Sequence, residues 1–255
     1  MNGLELSGLG AMGQSMKIDQ ISNNIANANT PGFRRDTMAF AERLARAVDT
    51  HCEGYNALAR RNPGAPVVDV VRFEKAGGGY EVTRRPLDLA LVGEGWFNVQ
   101  DVETGEIFHT RAGNFELNGD GRLMTSDGRR QVLADDGRAI ALDPANTEKL
   151  LVREDGSLEQ GGVECGRLGI TGFEDESRLR KYGDNLVRNE GSSATGTPVG
   201  ARVEQGTLER SGVNPVLEMV EMIKAFRVLE TNLEMVRLQD AALDRAVNDA
   251  GRPQR

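Results

Sequence analysis

The stretch 215–247 constrains the fold most, because its pattern describes one helix longer than most helices of globular domains. Asn214 suits the N-cap of this helix, and Pro215 suits its first helical position. At 1.5 Å per residue, the helix would be about 50 Å long. Its apolar side chains recur at alternating steps of three and four residues, broken once at Asp240: Met219, Met222, Phe226, Leu229, Leu233, Val236, Leu243 and Val247.

A helix of this length needs neighbours to pack against. Val216, Val220 and Ile223 widen its apolar face beyond one seam, which favours contact with several partners. A helical hairpin with the N-terminal helix is the simpler interpretation. That pairing would still leave apolar residues of both helices over for assembly, so the two interpretations are compatible.

Residues 4–29 carry the second helical pattern. Apolar residues at strict intervals of seven form a partial heptad seam: Leu4, Ala11, Ile18 and Ile25. Ile21 and Ala28 add a second row three residues later. The helix is predicted to stop near Thr30, because Pro31 disfavours helical geometry at the residue before it.

The central residues, from about 67 to 205, show strand and turn patterns. Two short strands, 87–92 and 96–100, flank the turn Gly93-Glu94-Gly95 and together predict a hairpin. Further Asp-Gly turns separate short apolar runs at 120–121, 127–128, 136–137 and 155–156. This spacing predicts a compact antiparallel β domain.

The chain is therefore predicted to be an α+β protein, in which N- and C-terminal helices pair as a coiled coil and a central antiparallel β domain is built of hairpins. Residues 1–35 and 213–255 would form the helical domain, 36–66 a linker or loop, 67–205 the β domain and 206–212 a connector. If the helices order only on assembly, proteolysis of the monomer should leave a resistant fragment near 67–205.

Composition argues against most chemistry. The 31 Lys and Arg against 39 Asp and Glu give a net charge of -8, which opposes binding to nucleic-acid phosphates. Two histidines and two cysteines are too few for a zinc site of usual spacing. We therefore predict no catalytic residues, no metal site and no cofactor. The neighbours His51 and Cys52 are interpreted as loop residues, and Cys52 and Cys165 are expected not to pair.

Two glycine-containing segments and the start of the chain do not match the functional motifs that they partly resemble. The run 118–121 lacks the ligand spacing and closing Glu of a calcium loop, so it is interpreted as a turn. The glycines 77–79 are interpreted as a flexible turn rather than a phosphate cradle. No stretch approaches the ~20 apolar residues of a membrane span, and the start lacks the basic and apolar runs of a secretory signal. We expect a cytosolic protein, or one that leaves by a route without a cleaved signal.

Four segments, in order along the chain, resemble the signatures of flagellar rod and hook proteins. The first is 23–35, with Asn23-Asn24-Ile25-Ala26-Asn27 leading to Pro31-Gly32-Phe33 and two arginines. The second is 86–97, the third is Thr110–Phe115 followed by Asp120-Gly121, and the fourth is 206–214 leading into 219–223. Ile25 stands where the family usually has Leu, and 226–230 departs from the family's usual run.

The resemblance implies an inner coiled coil of the terminal helices, an outer β domain, and subunits that stack helically into the torque-transmitting rod across the periplasm. It also implies partners, namely other rod and hook subunits and the flagellar type III export apparatus. Length and a single β domain favour the larger rod proteins, proximal or distal, with Asn214-Pro215 leaning to the proximal type.

The two apolar seams and the first signature together give the candidate assembly residues at the two ends: Leu4, Ala11, Ile18, Asn23, Asn24, Ile25, Asn27, Pro31, Gly32, Phe33, Met219, Met222, Phe226, Leu229, Leu233, Val236 and Leu243. The resemblance selects a second set as the signature of the β domain: Leu87, Asp88, Leu89, Gly93, Gly95, Trp96, Phe97, Arg111, Gly113 and Phe115.

Asn is a poor helix former, so Asn23, Asn24 and Asn27 are expected to make specific side-chain contacts. Burial between subunits would let them fix register, as a buried coiled-coil Asn does; the alternative is that they are exposed or cap the helix end.

The alternative function of the chain is a β-rich module that binds envelope polysaccharide. That module would need an exposed aromatic platform, whereas Trp96 is predicted to lie in the core. A hydrolase would need convergent titratable residues, which the sequence does not offer.

Overall fold

A computed structural model describes residues 3–42, 66–73, 77–174, 176, 179–183, 185–191, 194–195 and 200–250. These residues form two compact units, and the chain passes between them more than once. The helical unit takes its described residues from 3–26, 36–42, 66–73 and 214–250. The β unit takes its residues from 27–35 and from 77–213. The architecture is α+β, with a helix near each end of the chain and antiparallel sheets between them, as the sequence predicted.

The helical unit contains two helices and an antiparallel pair of strands. Helix α1 spans Gly3–Ala26 and helix α2 spans Pro215–Ala250. Strand β1 (Asp36–Glu42) pairs with strand β2 (Pro66–Phe73), and their register shifts between Met38 and Ala39. The sequence predicted that 36–66 is a linker or loop. That prediction is wrong for the first seven of these residues, which form strand β1. Alternating apolar residues in both segments explain the pairing.

Local capping sets the helix ends. Asn214 Oδ1 accepts hydrogen bonds from the backbone N–H groups of Val216 (3.1 Å) and Leu217 (3.3 Å), which confirms the predicted N-cap of α2. Helix α1 ends at Ala26, four residues before Thr30. A turn follows, in which the N–H of Thr30 donates to the carbonyl oxygen of Asn27 at 3.2 Å.

Helices α1 and α2 pack in opposite directions within the helical unit. Their polar contacts progress from one end to the other: Gln239 with Ser7 at 3.5 Å, Lys17 with Glu221 at 3.6 Å, and Asn24 with Glu218 at 3.4 Å. Gly10 faces Asn232, whose amide nitrogen would lie 3.2 Å from an added Cβ. The missing side chain at Gly10 thus lets the helices approach closely.

The β unit consists of short strands joined by turns. Its first strands are β3 (Tyr80–Val82), β4 (Leu89–Val92), β5 (Trp96–Asp101), β6 (Ile107–Thr110), β7 (Phe115–Leu117), β8 (Leu123–Thr125) and β9 (Arg130–Val132). A 3-10 helix, Pro144–Lys149, precedes the remaining strands: β10 (Leu150–Val152), β11 (Ser157–Gln160), β12 (Val163–Arg167), β13 (Ile170–Phe173), β14 (Leu179–Lys181), β15 (Leu186–Asn189), β16 (Ala194–Thr195), β17 (Arg202–Gln205) and β18 (Thr207–Glu209).

The pairing is antiparallel throughout these strands. The largest sheet has the order β14-β15-β6-β5-β9-β8-β7, and β13 pairs with both β5 and β16. The strands β10-β11-β12, β17-β4 and β18-β3 form smaller sheets. Their inward residues share one apolar core, whose fully buried members include Leu89, Leu91, Phe97, Phe108, Phe115 and Leu123.

The four predicted Asp-Gly turns are confirmed. In each, the glycine N–H donates to the carbonyl oxygen three residues earlier, at 2.8–3.0 Å, and the glycine φ is positive. The predicted hairpin of 87–100 is wrong. The turn at Gly93 and Gly95 is present, but β4 pairs with β17 and β5 pairs with β6, β9 and β13. The two strands are thus adjacent in sequence and separated in the fold, which no local pattern encodes.

Candidate functional site

Helix α2 turns a partly polar stripe toward α1. Its more buried residues follow steps of four and three: Glu218, Met222, Ala225, Leu229, Asn232, Val236 and Gln239. Of the predicted seam, only Met222, Leu229 and Val236 fall on this stripe. At the alternate positions the stripe lies one residue earlier than predicted, because small and polar residues there match Ser7, Gly10 and Asn24 of α1.

The other apolar residues of α2 are exposed within the chain. They include the predicted seam residues Met219, Phe226, Leu233 and Leu243, and the side chain of Val247 lies outside the described residues. The exposed set is large and runs along the helix: Val216, Leu217, Met219, Val220, Ile223, Phe226, Val228, Leu233, Met235, Leu238 and Leu243. We call this set the outer face of α2. A helix that exposes this many large apolar side chains is typical of an interaction surface.

Asn24 is fully buried in the helical unit and holds the start of β1. Its amide nitrogen donates to the carbonyl oxygen of Asp36 at 3.0 Å, and its amide oxygen accepts from the Asp36 N–H at 2.9 Å. Gln20 also donates to the Asp36 carbonyl. The side-chain amide therefore pairs with one backbone residue on both of its hydrogen-bonding groups, as a neighbouring strand would.

The remaining N-terminal candidates lie in different surroundings. Ala11 is buried in the helical unit, Ile18 and Ile25 are half-buried, and Asn23 is exposed. The side chain of Leu4 lies outside the described residues. In the β unit, Asn27 is half-buried and accepts a hydrogen bond from the Thr30 hydroxyl at 3.2 Å.

The rest of the first signature is anchored in the β unit. Gly32 and Phe33 are buried, and Pro31 is half-buried. Gly32 has φ of 68°, and an added Cβ would overlap the backbone of Arg111. Lys181 Nζ lies 4.1 Å from the Phe33 ring centroid, and Asn185 Nδ2 donates to the Pro31 carbonyl at 2.9 Å. The predictions missed Lys181 and Asn185, and no motif in the sequence marks them.

Three charged residues meet inside the β unit, and we call them the signature node: Arg34, Arg111 and Glu209. One Glu209 carboxylate oxygen lies 3.1 Å from Arg34 and the other lies 3.5 Å from Arg111. All three side chains are at most 8% exposed. Arg111 also donates to the carbonyl oxygens of Leu91 (2.9 Å) and Gly93 (2.7 Å).

The electrostatics of the node follow from burial. Loss of solvent raises the pKa of the Glu209 carboxyl above its ordinary value, although Arg34 and Arg111 oppose that shift. Burial likewise lowers the pKa of the Arg111 guanidinium, and Glu209 opposes this change. Each group offsets the desolvation of its partner, so removing Glu209 would take from both arginines the carboxylate that they share. The predictions named Arg111 but missed Arg34 and Glu209, although both stand inside the quoted signatures.

The other residues of the β-domain signature surround this node or fill the core. Trp96 is 2% exposed, which confirms its predicted core position, and Arg111 lies 5.6 Å from its ring centroid. Asp88, Leu89, Phe97 and Phe115 are buried, Leu87 is half-buried, and Gly93 and Gly95 supply positive φ. Gly113 accepts a hydrogen bond from the Leu89 N–H at 2.9 Å, and an added Cβ would overlap the Leu89 carbonyl.

Outside the node, the titratable residue His109 is packed and hydrogen-bonded within the β unit. His109 packs edge-on against Phe173, its Nδ1 lies 2.9 Å from Asn98 Oδ1, and burial lowers the pKa of His109 to about 4. Cys165 is half-buried. His51 and Cys52 lie outside the described residues, as does any pairing of Cys52 with Cys165. Among the described residues, no helix is long and apolar enough to cross a membrane.

Family models match three parts of the chain. A model described as flagella basal body rod protein matches residues 6–34. The flagellar hook protein FlgE/F/G D1 domain matches 90–160, and the flagellar basal body rod FlgEFG protein C-terminal region matches 204–249. The flagellar basal-body rod protein FlgF of Caulobacter vibrioides is 35% identical over 228 residues, which cover 86% of each chain.

The chain belongs to the flagellar basal-body rod protein family. Other rod proteins match it over similar lengths. FlgF of Mesorhizobium japonicum is 31% identical over 94% of each chain. FlgG of Bacillus subtilis is 30% identical, over 91% of this chain and 92% of that protein. The signature node takes one residue from each matched region of this rod family: Arg34, Arg111 and Glu209.

Proposed function

We propose that this chain is a structural subunit of the bacterial flagellar basal-body rod, polymerising helically through its terminal helices to form the torque-transmitting shaft. The observation that carries the proposal is the outer face of α2, whose apolar residues are exposed within the chain. Membership of the rod family supplies the class of assembly.

The distribution of side chains on α2 supports assembly rather than a finished monomer. The stripe toward α1 includes Glu218, Asn232 and Gln239, whereas Ile223 and Phe226 lie outward and exposed. Burying one Phe or Ile side chain contributes about 1.5–3 kcal/mol. Most of the apolar burial that α2 can offer would therefore be realised against other subunits.

We propose that the helical unit forms the assembly domain and that α1 and α2 wind there as an antiparallel coiled coil. The alternating steps of four and three along the stripe from Glu218 to Gln239 fit such winding. The predicted bounds change: 27–35 and the predicted connector 206–212, which contains β18, belong to the β unit, whereas 67–73 belong to the helical unit.

Within this scheme, Asn24 would act inside one subunit. Its amide is occupied by both backbone groups of Asp36, so a register role between subunits would have to displace these hydrogen bonds. Asn23 is exposed and is the better candidate for contact with a neighbour. The other candidate assembly residues keep the roles that the family resemblance implies.

The proposed partners are other copies of this chain, other rod and hook subunits, and the flagellar export apparatus. The proposed location is the basal body, spanning the periplasm, reached by type III export. We propose no enzymatic role, no nucleic-acid partner and no direct membrane insertion. The alternative of polysaccharide binding loses Trp96 as a surface residue, because its side chain is buried, whereas Tyr80 and Tyr182 are exposed.

The test compares two lysine substitutions on α2 in cells that lack the endogenous protein. Ile223→Lys places a charge on the outer face and should abolish motility and incorporation into purified basal bodies. Thr231→Lys changes an exposed polar residue of the same helix and should leave both intact. Purified monomers of both variants should unfold like the parent chain. Normal incorporation of the Ile223→Lys protein into basal bodies would contradict the proposal.

A further inference from the structure

The β unit is closed by residues from opposite ends of its chain. Arg34 and Glu209 are 175 residues apart in sequence, and their side chains form the shorter ion pair of the signature node. Arg111, which pairs with the other carboxylate oxygen, lies near the middle. A single acidic side chain thus joins three distant segments.

The backbone repeats this connection. The Gly32 N–H donates to the Glu209 carbonyl oxygen at 2.8 Å, and the Gly212 N–H donates to the Phe33 carbonyl oxygen at 2.9 Å. The segment that enters the β unit therefore lies beside the segment that leaves it.

Glu209 also fixes a third segment. Strand β18 pairs with β3, where Glu209 lies opposite Tyr80. The backbone at Gly77 passes so close to the node that an added Cβ would overlap the Glu209 carboxylate and lie 2.8 Å from an Arg34 guanidinium nitrogen. Gly77 is therefore a close-approach position that covers the ion pair.

We propose that Glu209 is a positioning residue that closes the β unit by holding its incoming and outgoing segments side by side. Before Glu209 is in place, Arg34 and Arg111 would have to be buried without the carboxylate that both of them pair with, which is unfavourable. The two arginines therefore oppose closure of the unit until Glu209 arrives. A chain that emerges from its N-terminus onward therefore completes the β unit only after Glu209 has emerged.

This inference changes the expected stable fragment and does not depend on the rod function. A fragment limited to 67–205 would contain the apolar core and lack both Arg34 and Glu209. The closed unit instead consists of residues 27–35 together with 77–213, as the described part of the compact β unit does.

The first test uses the full-length monomer and amide hydrogen exchange. Glu209→Gln preserves shape and removes the charge, and Glu204→Gln changes an exposed residue of the neighbouring strand as control. Exchange at Gly32 and Gly212 should rise by about tenfold or more in the Glu209→Gln protein, and stay within about twofold in the control. Unchanged exchange at both glycines in the Glu209→Gln protein would overturn the proposal.

A double variant covers the case in which Glu209→Gln fails to fold. Arg34→Met combined with Glu209→Gln removes one of the two arginines that lose their shared carboxylate. Folding, or protection of the amides from exchange, should therefore be partly restored relative to Glu209→Gln alone. A double variant that is no better than the single one would contradict the charge-driven closure.

Limited proteolysis of the full-length parent chain provides a second readout. The protease-resistant material should retain both residue 34 and residue 209, on one fragment or on two that stay associated, and the Glu209→Gln chain should lose both. A resistant parent fragment that starts after 42 and stops before 209 would refute the closure.

Discussion

The two units of this chain bury their apolar residues differently. In the β unit, Phe97, Phe108 and Phe115 are essentially inaccessible to solvent, and the three node residues form buried ion pairs with one another. In the helical unit, Phe226 and Ile223 are about half exposed, while Glu218 and Asn24 are buried. The β unit buries its apolar core within one chain, whereas α2 leaves many of its apolar side chains exposed, as the proposed assembly would require.

The largest expected contrast uses the same residue type in both units. Phe97→Ala should destabilise the β unit by about 3–5 kcal/mol, because it removes a fully buried ring and leaves a cavity. Phe226→Ala should change monomer stability by less than about 0.5 kcal/mol, because its ring is 46% exposed. Chemical denaturation of both monomers measures this, and equal losses would break the comparison between the units.

A glycine pair tests how closely the backbone of the β unit is packed. Gly113→Ala should destabilise the monomer by about 3 kcal/mol, because the added Cβ meets the Leu89 carbonyl and displaces a backbone hydrogen bond. Gly119→Ala is the control, since an added Cβ there meets open space. Thermal unfolding of both variants provides the measurement, and a Gly113→Ala protein as stable as the control would contradict the close packing.

The pH dependence of stability should report the burial of His109. The folded-state pKa of His109 is about 4, below the ordinary 6.5, so the unfolded chain binds a proton first as pH falls. This residue should therefore cost the β unit about 2–3 kcal/mol between pH 6.5 and pH 4, and nothing above pH 7.

Denaturation across that pH range, in the parent and in His109→Gln, isolates the histidine contribution. The variant should show a flatter profile between pH 4 and 6.5. Parallel profiles for the two proteins would mean that His109 is more accessible to water than its burial indicates.

The smallest effect concerns the start of α2. Asn214→Ala should cost about 1 kcal/mol, because two N–H groups lose the cap, while Asn214→Asp keeps an acceptor and should be nearly neutral. Far-ultraviolet circular dichroism during unfolding follows this helix. Equal helix loss in the two variants would indicate that the cap is not what fixes the helix start.

The sequence by itself determined the elements whose causes are local. Asn214 and Pro215 marked the start of α2, and each Asp-Gly pair marked a turn that the fold contains; α1, however, ends at Ala26, four residues before the stop predicted from Pro31. Glycine φ values, caps and the Pro restriction act within a few residues, so they are legible along the chain. The four signatures likewise indicate the family from the sequence, without any tertiary contact.

The tertiary structure alone decided which of these elements meet. Helical periodicity offered several apolar faces of α2, and only packing against Ser7, Gly10 and Asn24 selected the stripe that includes Ala225. Strand β4 pairs with β17 rather than with its neighbour in sequence, and Glu209 reaches Arg34 across 175 residues. Such choices depend on the burial and charge of distant residues together, which no local pattern carries.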